Sequence, residues 1–315
     1  MLDSIQTPFD SVVGIVLDAL QQPQKTLPAK LFYDDEGCRL FNAITELPEY
    51  YPTRVERDLL TRIVPQLPTL PGGALIEYGG CDETKALTLF DQLGVRTYVP
   101  IDVAGPALLA MATRLRRSRP ELIVLPIAAD FLQPFSLPLG TARQLKFGFF
   151  PGSTIGNLEP EDARRFLAQA HHDLGRNAHF LIGVDLRKDP AILVPAYDDA
   201  QGVTADFNRN MLVHLNRVAA ASFEPELFDH RAVWNAERSR IEMHLVSRCA
   251  QTVYVSGRPI SFRAGETIHT ESSYKHTVDG FIDLAASAAW VSEAVWTDDE
   301  KLFSLHLLGT KEIIR

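Results

Sequence analysis

The sequence predicts an α/β protein, a Rossmann-like core joined to a second, smaller α+β lobe. One stretch, ALIEYGGCDETKALTL at residues 74–89, carries most of that prediction. Ala74, Leu75, Ile76 and Tyr78 make a short buried-strand signal around Glu77. Gly79 and Gly80 break it, and Ala86, Leu87, Leu89 and Phe90 resume with helical spacing. Strand, glycine turn and helix open a nucleotide-binding βα unit: the glycines let the backbone approach a ligand, and the helix N-terminus offers N–H groups. The second observation is the run of apolar strands that follows, at 96–103, 122–128, 145–150 and 178–184. The third is what stands at their ends.

Asp102 closes RTYVPIDV about 20 residues after the glycine turn, where a carboxylate accepts hydrogen bonds from two ribose hydroxyls. Asp130 and Phe131 follow the next strand and suit an adenine ring, the carboxylate taking its exocyclic amine and the phenyl stacking on its face. Either acid alone also reads as a helix cap or a loop acid. Together they favour an adenosine-containing cofactor. A dinucleotide needs a tight glycine pocket for its pyrophosphate, whereas this turn carries Asp82 and Glu83. S-adenosylmethionine has no phosphate and bears a sulfonium cation, which tilts the reading toward methyl transfer. The strand at 145–150 runs into PGSTIGN, where Gly152 and Gly156 allow close approach, Ser153 and Thr154 offer hydroxyls, and Asn157 offers a donor and an acceptor. At that strand end Asn157 can hold an amine by accepting its hydrogen; its other reading is a turn residue or cap.

In chain order, residues 1–65 read as an N-terminal helical cap belonging to the substrate lobe, with a helix over 9–20 and a dense aromatic segment holding Phe32, Tyr33, Phe41, Tyr50 and Tyr51. Pro52 biases Tyr51 toward extended backbone, so the two tyrosines are expected in a turn at a binding-site lip, with Thr53 capping a helix from Arg54. The Rossmann-like core spans 66–190. Residues 191–285 form the substrate-binding lobe: a helix with Phe207, Met211, Leu212, Leu215 and Val218, antiparallel strands at 239–246, 251–255 and 260–262, then a helix over 278–289. Residues 286–315 supply closing strands that return to the core sheet.

At 315 residues and 46% hydrophobic content, the chain has enough apolar material for a large core with an added lobe. A net charge of −9 argues against a nucleic-acid partner, since phosphates demand a basic face. No apolar run reaches membrane-spanning length, and the N-terminal MLDSIQTPFD lacks a signal-sequence pattern, so a cytoplasmic protein is expected. Three scattered cysteines (Cys38, Cys81, Cys249) read as reduced thiols. The nine histidines include no H-E-x-x-H or Cys/His quartet, so no metal is expected, and no G-x-S-x-G nucleophile elbow occurs.

Several stretches together resemble one family: LPAKLFYDDEGCRLFNAITELPEYYPTR, EYGGCDETK, FFPGSTIGN, AYDDAQGVTADFNRN, RSRIEMHLVS and ETIHTESSYK. They are similar to the histidine-specific N-alpha-methyltransferases of ergothioneine biosynthesis, which make hercynine (histidine betaine). The resemblance covers nearly the whole chain. It implies a Rossmann-like, S-adenosylmethionine-dependent methyltransferase core, with Gly79, Lys85, Asp102, Asp130 and Phe131 as cofactor contacts. It implies that Tyr50, Asn157 and Tyr197 hold the amine and carboxylate of L-histidine and its mono- and dimethylated forms, Tyr50 and Asn157 being the catalytic pair. It assigns Glu271 and Ser273 to the imidazole, with Ser272 between them and Met243 lining the same pocket. The family's cofactor turn reads glycine, small residue, glycine; here it is Gly79-Gly80-Cys81, which leaves Gly80 and Cys81 open as contacts. Read from the residues, three alternatives stand beside this one: a nicotinamide-dependent reductase, a metabolite-binding protein without turnover, and an N-methyltransferase for another amino acid or small amine. A monomer is the expectation for its assembly.

Overall fold

The computed structural model describes residues 8–80 and 82–310. Cys81, left open in the cofactor turn, and residues 311–315 of the closing segment lie outside the described residues. The chain divides into two compact units, one of residues up to Tyr50 with Asp189–Ser273, the other of Tyr51–Lys188 with residues from Tyr274 onward. The first unit opens with α1 (Pro8–Leu20), β1 (Lys25–Thr26) and α2 (Asp35–Thr45). The second carries α3 (Tyr51–Ile63), β2 (Ala74–Tyr78), α4 (Thr84–Leu93), β3 (Thr97–Asp102), α5 (Gly105–Ser118), β4 (Ile123–Val124), β5 (Ile127–Ala128), β6 (Lys146–Phe150), α6 (Pro160–Leu174) and β7 (His179–Asp185). The chain returns to the first for α7 (Pro190–Leu193), α8 (Val203–Val218), β8 (Phe228–Asn235), β9 (Arg240–Ser247), β10 (Gln251–Val255), β11 (Arg258–Phe262) and most of β12 (Thr267–Tyr274). It ends in the second with α9 (Val278–Ser287), β13 (Trp290–Thr297) and β14 (Phe303–Thr310).

The second unit is a three-layer α/β sandwich. Its sheet runs β13-β14-β7-β6-β2-β3-β4, with β5 also pairing β3. The strands from β7 to β5 are parallel, and β14 joins β7 antiparallel, as does β13 to β14. Alternation along each strand feeds two cores. Leu75, Tyr98, Phe147, Phe149, Leu181 and Leu305 pack under α3, α4 and α5, while Ile76, Tyr78, Val99, Ile101, Phe150 and Ile182 pack under α6 and α9. Strands covered on both faces read as continuous apolar runs, which is why the sequence marks them. On the first face Glu77 is buried, hydrogen-bonded by the Tyr98 hydroxyl, and burial pushes its carboxyl up to about 8.

The first unit has a four-stranded sheet, β1-β12-β9-β8, and a separate β10–β11 hairpin. Phe207 of α8 anchors it, stacked on Phe32 with ring centroids 4.5 Å apart and flanked by Tyr33 and Phe41. Asp199 accepts hydrogen bonds from the Val203 and Thr204 N–H groups and so starts α8.

Three details differ from expectation. Tyr51 is the first residue of α3 instead of a turn residue, because Pro52 occupies the opening turn, where its missing N–H costs nothing. The α3 leucines Leu59 and Leu60 then bury in the second unit's core, so the units divide after residue 50 and not 65; the other divisions, after 188 and 273, compare with the expected 190 and 285. The strand at 122–128 is two short pieces, interrupted at Leu125 and Pro126. Strands β8 (FDHRAVWN) and β12 (TIHTESSY) escaped the sequence reading because their polar residues hide the period-2 signal. No described helix is long and apolar enough to cross a membrane.

The second unit also packs two histidines against Phe281, His306 buried and His276 half-buried, with His306 Nε2 2.9 Å from Ser304 Oγ. Burial first, then a neighbouring cation, pushes His276 down to about 4 and His306 down to about 3. Below an ordinary histidine pKa near 6.5 the unfolded chain binds protons that the folded chain refuses. Stability should therefore fall as pH drops from about 6.5 toward 4, by at most ~1.4 kcal/mol per pH unit per histidine. Urea unfolding at several pH values checks this, and His306→Phe should flatten the acid loss; a variant keeping the parent's full slope removes His306 as its source.

Candidate active site

The cofactor-side residues all lie in the second unit, at the carboxyl ends of its parallel strands. Gly79 follows β2 with φ +78°, and its N–H donates to the Ile101 carbonyl at 2.8 Å. A Cβ there would meet no atom within 4 Å, so the glycine serves conformation and leaves the backbone open to a ligand. Gly80 differs: a Cβ would stand 3.1 Å from the Glu77 and Pro100 side chains, which makes it a packing glycine.

Asp102 ends β3, half-buried, and its Oδ1 accepts from the Ala104 N–H at 2.7 Å. Its neighbour in register on β5 is Ala128, two residues before Asp130. The Asp130 carboxylate likewise accepts from the Leu132 N–H at 3.0 Å. Both acids thus make the local loop bonds that were their alternative reading. Both stand at the carboxyl ends of neighbouring strands, the region where open α/β sheets bind ligands. Phe131 is half-buried, its ring edge-on to Phe150 and Phe166 at 5.5 and 5.4 Å, and it lines a cleft of about 350 Å³ with Phe166 and Gln169.

Lys85, in the first turn of α4, places Nζ 2.5 Å from Glu56 Oε2. Glu56 comes from α3, is fully buried, and accepts from the Gly152 N–H at 2.8 and 3.0 Å. Gly183 of β7 is a glycine for the same reason, since a Cβ would collide with Glu56 Oε1. Sequence reasoning missed Glu56. The segment VERDLL reads as an ordinary amphipathic helix, and nothing local says that this acid faces inward.

The loop held by Glu56 leads through Ser153, at φ +56°, to Asn157, the last residue of a 3-10 turn. Asn157 is half-buried, and no other group among the described residues engages its amide. Ser153 Oγ accepts from the Asp185 N–H at 2.9 Å. The Asp185 carboxylate is buried and accepts from Tyr51 Oη at 2.8 Å, Lys188 Nζ at 2.5 Å and Lys275 Nζ at 2.7 Å. Burial opposes its charge, but the two lysines win and hold it below the usual carboxylate range, while burial pushes Lys188 down to about 8. Tyr51 is therefore a buried member of this cluster and not part of a binding-site lip.

The remaining substrate-side residues lie in the first unit, and three of them meet. The Tyr50 ring stands edge-on to Tyr197 at 6.4 Å, and the Tyr197 hydroxyl is 2.8 Å from Ser273 Oγ. The Tyr197 carbonyl accepts from His230 Nε2 at 2.8 Å, whose Nδ1 takes a hydrogen from the Asn208 amide. Burial lowers the His230 pKa, consistent with that neutral tautomer. Glu271 lies two residues before Ser273 on β12. Ser272 bonds elsewhere, its hydroxyl 3.2 Å from His269 Nε2. Met243 is buried on β9 with Ile241 and Leu245, and its carbonyl accepts from Thr270 Oγ1. Strand alternation sets it on the opposite face of β9 from Glu242 and His244.

The family model for "Histidine-specific methyltransferase, SAM-dependent" matches residues 12–310. The histidine N-alpha-methyltransferase of Mycolicibacterium smegmatis is 38% identical over 290 residues, covering 90% of this chain and 90% of that protein. Ergothioneine biosynthesis protein 1 of Neurospora crassa is 29% identical over 305 residues, covering 90% of this chain and 33% of that protein. Among solved structures, the CcbJ methyltransferase from Streptomyces caelestis shares the fold at TM-score 0.51 and 14% identity, over 86% of this chain and 96% of that one.

The Glu56 contacts generate a stability prediction. Glu56→Gln leaves Lys85 without its charge partner and Gly152 with a weaker acceptor, and should cost on the order of 3 kcal/mol. Lys85→Met should cost at least as much, because it strands the fully buried Glu56 carboxylate, whereas the partly exposed Lys85 ammonium left by Glu56→Gln can reach water. Chemical denaturation of both variants measures the order, and a Glu56→Gln protein as stable as the parent would refute this role.

Proposed function

Because this chain belongs to the histidine-specific, S-adenosylmethionine-dependent methyltransferases, we propose that it trimethylates the α-amino group of L-histidine to hercynine, the first step of ergothioneine biosynthesis. The observation that carries this reading is the family match, which runs from residue 12 to 310. Within it, the acid and hydroxyls of β12 suit an imidazole. In this reading the protein works as a cytoplasmic monomer on histidine and its mono- and dimethylated forms, with neither nucleic acid nor membrane as partner.

S-adenosylmethionine supplies, when bound, a methyl group activated by a sulfonium. The crevice residues fit it: Gly79 is open at the position a side chain would take, two carboxylates stand at the ends of neighbouring strands, and the turn carries Asp82 and Glu83, which suit a cation better than a pyrophosphate. Asp102 is assigned to the ribose hydroxyls, Asp130 to the adenine amine and Phe131 to its ring face. Lys85, by holding Glu56 on the Gly152 N–H, keeps the helix start and the Asn157 loop in place.

The substrate nitrogen must present a lone pair. The methyl it takes would come from the sulfonium, and the proton then left on the nitrogen would have to leave before the next round. Such an in-line transfer needs positioning more than acid–base relay. Asn157 and Tyr50 are assigned to the amine and Tyr197 to the carboxylate end; all three are neutral and add no cation to repel the sulfonium. Glu271 and Ser273 are assigned to the two ring nitrogens, with Met243 giving buried apolar backing to that strand pair. Phenylalanine or leucine would leave Glu271 desolvated and unpaired, which is the physical basis for rejecting them.

Mass spectrometry of reactions with S-adenosylmethionine and L-histidine should show three methyls, all on the α nitrogen. Arrest at one methyl, or methyl on the ring, contradicts the reading. Glu271→Ala should lower kcat/KM for histidine by roughly 10- to 100-fold, the loss of one hydrogen bond to a charged group. Affinity for S-adenosylmethionine should stay as it was. Undiminished preference for histidine over phenylalanine in a competition assay would remove Glu271 from recognition.

A further inference from the structure

Strand β12 is held unevenly along its length. Its parallel pairing with β1 covers only Ile268 and His269, and the Leu27 N–H closes that contact on the His269 carbonyl at 3.0 Å. Strand pairing on that side stops there, two residues short of Glu271. The His269 side chain continues it by other means. Its Nε2 lies 2.9 Å from the Glu271 carbonyl oxygen and 3.2 Å from Ser272 Oγ. A carbonyl only accepts, so Nε2 carries the hydrogen, and one imidazole ties His269 to Glu271 and Ser272 of its own strand.

The ring is itself held. It stacks on His244 of β9 with centroids 4.9 Å apart and an interplanar angle of 27°. His244 Nε2 is 3.3 Å from Glu242 Oε2, and Glu242 is gripped by Arg240 at 2.7 Å and Asn235 at 2.9 Å. Burial, then the charge of His269, pushes His244 down to about 4, so near neutral pH an uncharged ring lies against His269. The residue after Ser272 is held as well, since the Ser273 hydroxyl is bonded to Tyr197. His269 thus sits where the pairing with β1 ends and the side chains assigned to the imidazole begin.

We propose that His269 is a positioning residue for substrate recognition, fixing the Glu271–Ser272 backbone and so setting where the Glu271 carboxylate and the Ser273 hydroxyl stand. This deepens the histidine reading given above and rests on it. A carboxylate on a tethered strand meets a ring nitrogen without first losing backbone freedom, which is where preorganised sites gain affinity. His269 acts on the ground-state fit of the side chain and not on the transferring methyl, so its loss belongs in KM.

The test uses the full chain with His269→Ala and His269→Gln. The glutamine amide can reach the same carbonyl with an N–H, whereas alanine cannot. His269→Ala should raise KM for L-histidine about three- to tenfold, the worth of one net hydrogen bond. Its kcat should change less than KM, its affinity for S-adenosylmethionine should be unchanged, and His269→Gln should recover most of the loss. An unchanged KM in His269→Ala overturns the proposal. So does a parallel loss of KM, kcat and S-adenosylmethionine affinity that glutamine fails to rescue, which would mark a purely structural role. Failure of the underlying function looks different: the parent protein itself would make no methylated histidine.

Discussion

The Glu56 carboxylate is the interaction on which the cofactor-side geometry depends. It is fully buried, yet it takes the Lys85 ammonium from the start of α4 and the Gly152 N–H from the loop after β6, and it occupies the space that Gly183 leaves on β7. A buried carboxylate is tolerable only when its lone pairs are used, so each partner is held to the others by the cost of losing it. The start of α4, the loop after β6 and strand β7 are held together by one side chain of α3. A second buried carboxylate, Asp185, does the same at the end of β7, gathering Tyr51, Lys188 and Lys275 and reaching Ser153 through its own N–H. The loop that carries Asn157 is therefore fastened at Gly152 and at Ser153, immediately before the turn that presents the amide.

The first unit solves its problem with neutral groups. Tyr50, Tyr197 and Ser273 are joined by a ring contact and a hydroxyl pair, and behind them His230 and Asn208 fix the Tyr197 carbonyl. On β12 the polar residues are individually bound: Ser272 by His269, Ser273 by Tyr197, and the Glu271 carbonyl by His269. Such a strand is costly to bury unless every member finds a partner, and the partners come from β9, from the loop before α8 and from β12 itself. The charged pair Arg240 and Glu242, with the His244 ring bonded to Glu242, underlies it.

Legibility in the sequence divided along physical lines. The parallel strands were visible because burial on both faces forces unbroken apolar runs, and their ends were visible because glycine and aspartate interrupt those runs. Asp102, Asp130 and Asn157 could be singled out for that reason. Strands β8 and β12 were not visible, since their residues are chosen for hydrogen bonding and leave no hydrophobic period. Tyr51 was misplaced because the rule that a residue before proline avoids the helix is suspended in a helix's first turn. Glu56 and Asp185 left no local trace at all: an acid in an amphipathic helix or at a strand end reads as exposed until its distant partners are known.

The sequence by itself determined the α/β class, the strand-end chemistry of the core and, through the six stretches it shares with one family, the expectation of histidine methylation. These are properties of short segments, written in local composition and spacing. Only the tertiary structure decided that Lys85 answers to Glu56, that Gly80 is a packing glycine while Gly79 is an open one, and that Tyr50, Tyr197 and Ser273 form one connected group. It also decided that His269 tethers the Glu271 carbonyl. Lys85 and Glu56, Tyr50 and Tyr197, and Tyr197 and Ser273 are from 29 to 147 positions apart. No window along the chain contains the partners, so the packing of the folded chain had to bring them together.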